Sequence, residues 1–246
     1  MRPRPPAGLR DTPRDALLAA DVRGTRFVLV NGFDAWVDRG RTRDYLSAQR
    51  YTPGVVAPVG AIPPATAAAK PWPRLTFRLP GGGGIAQEIF PVPGRSLVAV
   101  RWTLPAGSPD LLLGVRFFLS GREEGSLHLR NGVFRMTPEI RGWRRTWRPY
   151  DGVPDIAIYT RAAYRHDPHW YDNFLYADGS QESLASPGIF EGTVTAREGL
   201  EIVLAGGWGE AIEGMILPEE PVLWVRGKPR GAAKRPGVRP GPSSSP

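Results

Sequence analysis

The sequence predicts an all-β fold, a large antiparallel β-sandwich with a disordered C-terminal tail, and three observations lead there. The chain's 30 glycines and 27 prolines cut it into short segments, so almost no window is long enough to hold a 3.6-residue apolar period. The runs between them are rich in β-branched and aromatic residues, and several alternate apolar with polar side chains as a half-covered strand requires. A chain of 246 residues buries roughly 70 to 75% of its unfolded surface. That is enough to close two sheets over one core without metal or disulfide.

Taken in order, residues 14–20 are the best helical candidate, because Leu17, Leu18, Ala19 and Ala20 are good helix formers. Strands are predicted over 25–30, 74–79, 85–90, 96–103, 111–119, 132–136, 143–148, 156–163, 189–196 and 200–204. In the second, Leu75, Phe77 and Leu79 alternate with Thr76 and Arg78, so one face meets a core. The runs 97–102 and 111–119 are apolar on both faces, as expected of strands covered on two sides. Residues 80–84, four of them glycine, read as a hairpin loop. A phosphate cradle would need a helix after the glycines, and Ile85 instead starts another strand.

The ends differ from the body. Residues 1–24 form an N-terminal extension, 25–226 the sandwich, and 227–246 a basic Pro/Gly/Ser tail with too few apolar groups to offset its ordering entropy. The net charge of +8 sits at these ends. Arg226, Lys228, Arg230, Lys234, Arg235 and Arg239 follow Trp224 with no acid among them, and Arg2, Arg4 and Arg10 open the chain. The body between is near neutral, which argues against a nucleic-acid partner. With no cysteine, thiolate chemistry and disulfides are excluded. No signal-peptide core and no apolar run approaching the ~20 residues of a membrane span is present, so the expectation is a cytoplasmic protein without a membrane partner.

The chemistry-bearing residues point to binding more than to catalysis. The acids Glu123 and Glu124 are adjacent and on a strand would face opposite ways. Asp167, Asp172, Asp178 and Glu182 fall in what reads as a long turn-rich connection, where short polar residues serve turns. The three histidines, His128, His166 and His169, do not make a metal motif, so neither metal nor cofactor is expected. Aromatic residues beside donors and acceptors suit the flat C–H faces and hydroxyl rims of a sugar. Trp170, Tyr171, Asp172, Asn173 and Tyr176 offer that mixture in the 165–190 stretch, and Trp143, Arg145 and Trp147 offer a second. Against this stands the plain alternative that Trp143 and Trp147, at alternating positions, fill a core.

Four segments in order carry a resemblance: NGFDAWVDRGRTRDYLSAQRYTPGVVAPVG; PWPRLTFRL with QEIFPVPG; FFLSGRE; and WYDNFLY followed by SPGIF. Together they resemble the N-terminal domain of glycogen debranching enzymes of the bacterial and archaeal type, the amylo-alpha-1,6-glucosidase group, over about residues 26–205. The resemblance implies a large β-sandwich that precedes an α/α toroid carrying the catalytic acids. It also implies a glycogen-like α-glucan as ligand and a toroidal catalytic domain or subunit as partner. The chain departs from the family where a Thr-Arg-Arg-Tyr-His-Gly block is expected upstream. It departs again after the Ser-Gly-Arg motif, where Glu123, Glu124 and Gly125 replace Asp-Tyr-His, and at residues 177–184, where a longer insertion shrinks. With the toroid not in view, the expectation is a non-catalytic domain that helps wall a glucan site. The alternative is a stand-alone carbohydrate-binding sandwich.

Overall fold

The computed structural model describes residues 12–209 and Ile212, and its sixteen elements are all strands. They form two antiparallel eight-stranded sheets. One, called sheet A, runs in the order β1 (Leu18–Val22), β2 (Thr25–Asp38), β10 (Leu111–Glu123), β15 (Gln181–Val194), β14 (Ala163–Leu175), β4 (Gln49–Tyr51), β5 (Val55–Ala57), with β3 (Arg43–Tyr45) paired to β2. Sheet B runs β11 (Glu139–Arg141), β12 (Arg144–Trp147), β13 (Asp155–Tyr159), β16 (Leu200–Gly207), β9 (Leu97–Thr103), β8 (Gly84–Pro91), β7 (Arg74–Arg78), β6 (Thr66–Ala68).

The core lies where the apolar halves of the alternating strands meet. Leu113, Val115, Phe117 and Leu119 of β10 point inward with Phe33, Ala35 and Val37 of β2, against Val98, Val100 and Trp102 of β9 and Ile156 and Ile158 of β13. Aromatic edges join the layers: Phe33 meets Trp102 at 5.6 Å and 79°, and Trp147 meets Phe190 at 6.5 Å and 75°. The buried Trp102 indole is satisfied by Gln87 Oε1 at 3.1 Å, so the largest side chain in the core leaves no orphan donor.

Most predicted strands are present, and three predictions need correction. The segment expected to be helical contributes β1, in which Leu18 and Ala20 are 2% exposed. Pairing with β2 and burial on the core outweigh a helix propensity worth only tenths of a kcal/mol per residue. Residues 132–136 form no strand, because Asn131 Oδ1 accepts the amides of Val133 (3.1 Å) and Phe134 (3.0 Å) in a tight turn. The supposed turn-rich connection is itself β14, thirteen residues long and hairpinned to β15. Register shifts at 166–169 and 171–174 absorb Pro168 and the left-handed Asn173 (φ 63°). The 80–84 loop joins antiparallel β7 and β8 as expected. The tail expected from 227 lies outside the described residues.

Candidate functional site

Because β14 is a strand, its neighbouring side chains alternate, and the rings predicted to share one site are parted. Trp170 pairs with Ala185 and packs toward the core, its ring 5.4 Å from His128 and 5.7 Å from Phe134. Tyr171 pairs with Leu184 and packs on Phe118 at 5.1 Å, in a smaller cluster with Phe174. Phe118 follows the core residue Phe117 on β10, so Tyr171 lies on the face of sheet A turned away from sheet B.

The remaining predicted residues also find definite places. Asp172 holds the Arg130 guanidinium through both oxygens. Asn173 is exposed, and its carbonyl accepts Thr52 N at 2.9 Å. Tyr176 is 2% exposed and donates its hydroxyl to Glu182. Trp147 is 1% exposed in the core, its indole donating to Met136 O at 2.9 Å, so neither ring offers a free face. Trp143 is 53% exposed at the β11–β12 turn, with the Arg161 guanidinium 4.8 Å from its ring. Arg145 donates to Gly142 O at 3.2 Å, and its Nε is buried without a partner.

The Ser-Gly-Arg motif explains itself as one end of a buried network. Arg122 Nε donates to Glu182 Oε2 at 2.8 Å, with side chains 4% and 0% exposed. Asn31 Nδ2 donates to Oε1 at 2.8 Å, and Ser120 Oγ donates to Asn31 Oδ1 at 2.7 Å. Gly121 turns left-handed at φ +65°, where a Cβ would come within 2.9 Å of Pro149. Beside this network His128 donates Nδ1–H to Ser183 O (2.7 Å), since a carbonyl only accepts. Its Nε2 therefore receives the Tyr150 hydroxyl proton at 2.6 Å. Burial lowers its pKa to about 4; the Ser183 hydrogen bond partly opposes this and the Arg122 charge adds to it.

On the outer face of sheet A a second polar group gathers that sequence reasoning missed. Arg116, buried on β10, donates to Ser186 Oγ (3.2 Å), to Asp167 O (3.1 Å) and to the Asp167 carboxylate, and lies 5.7 Å from the Tyr171 ring. Partial burial alone would raise the Asp167 carboxyl, but the Arg116 guanidinium outweighs it and holds the group below the usual range. Asp34, cross-strand from Arg116, accepts Ser47 Oγ at 2.9 Å and Gln49 Nε2 at 2.8 Å. His169 and Arg165 are exposed along the same edge. The signal was available: Arg116 is a lone charge inside the apolar run LLLGVRFFLS, and a charge in such a run needs a buried partner.

Two carboxyls are pushed up by burial. Glu201 on β16 reaches about 7, with the nearby Arg101 opposing, and both its oxygens are buried without hydrogen-bond partners. Asp155 on β13 is raised by burial against the pull of Arg148. Asp155 pairs with Gly207, six residues from Glu201 along β16, a separation of about 20 Å at the rise of a strand. Bond-cleaving carboxyl pairs stand about 5 to 9.5 Å apart. Among the described residues no three His, Asp or Glu side chains gather as metal ligands, and no helix is long and apolar enough to cross a membrane.

Residues 7–200 match the family described as glycogen debranching enzyme N terminal. No curated protein matches the chain.

Proposed function

The chain belongs to the glycogen debranching enzyme N-terminal family, and on that premise we propose that it is the non-catalytic sandwich that helps wall a glucan site. A toroidal α/α partner would carry the acids that hydrolyse alpha-1,6 branches, and the ligand is a glycogen-like α-glucan in the cytoplasm. The observation that carries this reading is the outer face of sheet A at β14. There Tyr171, His169 and the Arg116–Asp167 pair set a ring beside charged donors and acceptors, the chemistry a sugar surface asks for. The carboxyls add support from the other side. Asp167, Asp172 and Glu182 are tied to arginines, and Glu201 and Asp155 are too far apart to act on one bond.

Affinity electrophoresis in glycogen gels tests the binding half, with the purified chain and Tyr171→Ala compared. The wild type is expected to be retarded and the variant to migrate faster; equal mobility with and without glycogen would remove the glucan-wall reading. Incubation with a branched glucan tests the other half, and glucose release above a blank would contradict a non-catalytic role. Strong retention that a catalytic partner does not change would favour the stand-alone module.

A further inference from the structure

Trp36 is the anomaly of this outer face. It is 3% exposed, yet its Nε1–H, a group that can only donate, is buried without an acceptor. The indole lies over Gly114 of β10, where a Cβ would come within 2.6 Å of Nε1. The glycine therefore makes room for the ring, and the ring ends over the middle of the sheet. In the ladder Gly114 lies between Trp36 on β2 and Glu191 on β15, and Glu191 is turned to Arg165, Nε to Oε2 3.8 Å. Tyr45 stands beside the indole at 6.1 Å, and Leu112, 45% exposed, lies two residues from Gly114 along β10.

What covers the ring is held loosely. The Arg43 guanidinium lies 4.9 Å from the ring centroid, its side chain is 43% exposed, and its ion pair with Asp38 is long, at 3.6 Å. An exposed cation over a ring and an exposed ion pair are both weak, whereas a buried donor left unpaired is costly. A ligand oxygen that displaced Arg43 would exchange a weak cover for a missing hydrogen bond.

We propose that Trp36 is a hydroxyl-reading position of the sheet A outer face: a bound α-glucan moves Arg43 aside, lies against the indole between Tyr45 and Leu112, and accepts the Nε1–H at a sugar oxygen. This rests on the glucan-wall reading and adds to it a second contact region, on β2 and β3 instead of β14. The rings of Trp36 and Tyr45 supply the apolar platform once Arg43 has swung aside, and Glu191 the polar rim.

Maltohexaose is the probe, titrated by calorimetry and by NMR of indole-labelled protein. Binding should shift the Trp36 Nε1–H resonance. Trp36→Phe keeps a smaller ring over Gly114 while removing the donor, so affinity should fall at least roughly tenfold, the worth of one hydrogen bond. Arg43→Ala, at an exposed position that does not threaten folding, should tighten binding several-fold. If wild type binds maltohexaose while the Trp36 resonance stays put and both variants bind as wild type, the assignment of Trp36 is wrong and the β14 wall survives. A water-satisfied indole that no sugar perturbs overturns the assignment in the same way. If wild type binds no glucan at all, the glucan-wall reading fails and this inference with it.

Discussion

The buried His128 and Glu201 make opposing demands on pH. Folded His128 stays neutral down to about pH 4, whereas an unfolded histidine takes its proton near 6.5. The unfolded state binds more protons across that window, so this residue's contribution falls as pH drops from 6.5 toward 4. Folded Glu201 is protonated near 7 against an ordinary 4.5. Here the folded state binds more protons, and stability rises as pH falls from 7 toward 4.5. Between pH 7 and pH 5 the first effect costs about 2 kcal/mol and the second returns about 2 kcal/mol, at 1.36 kcal/mol per pKa unit. The wild type should show almost no net change from the two together. His128→Asn keeps a donor for Ser183 O and removes the titration, so its unfolding free energy should rise by about 2 kcal/mol relative to wild type on acidification over that range. Glu201→Gln should fall by a similar ~2 kcal/mol. Urea denaturation at pH 7, 6 and 5 measures each slope, and subtracting the wild-type profile cancels other groups and any constant packing loss. Variants whose profiles run parallel to wild type would refute the reasoning.

Three other outcomes follow from the packing. Glu182→Gln should cost about 3 to 5 kcal/mol, because it leaves the buried Arg122 charge without its counter-ion; a shift in urea midpoint reads it, and a loss below about 1 kcal/mol would mean water reaches the pair. Gly114→Ala should destabilise by about 1 to 3 kcal/mol as its methyl forces the Trp36 indole off the sheet, and near-ultraviolet circular dichroism should report the displaced ring. Trp147→Ala should lose about 3 to 5 kcal/mol and Trp143→Ala less than about 0.5 kcal/mol, since one ring is 1% and the other 53% exposed; thermal melts of the pair would expose any reversal.

The fold was legible wherever period two survives. Leu75, Phe77 and Leu79 announce β7, and the doubly apolar 111–119 run announces a strand covered on both faces. β14 was hidden because its two bulges reset the alternation and because Pro168 and Asn173 are turn formers by composition. Local sequence does not show that β15 supplies the ladder that tolerates them. The candidate site was legible only in its ingredients. Adjacency in sequence suggested that Trp170 and Tyr171 would act together, and the pleat sends them to opposite sides. Arg116 comes from β10, whereas Asp34, Trp36 and Tyr45 come from the consecutive strands β2 and β3, and no single segment encodes the register that brings them together.

Both sheets taper at their borders. Sheet A ends on the five-residue β1 and the three-residue β5, and sheet B on β6 and β11, each three residues long. A selvedge that short gives the strand of a neighbouring molecule only a few amides to grip before the register runs out. At those four borders copies of this chain have little means of knitting sheet to sheet, and a longer run of border backbone is offered by β14, whose ladder with β4 is the single pair Phe174 and Tyr51.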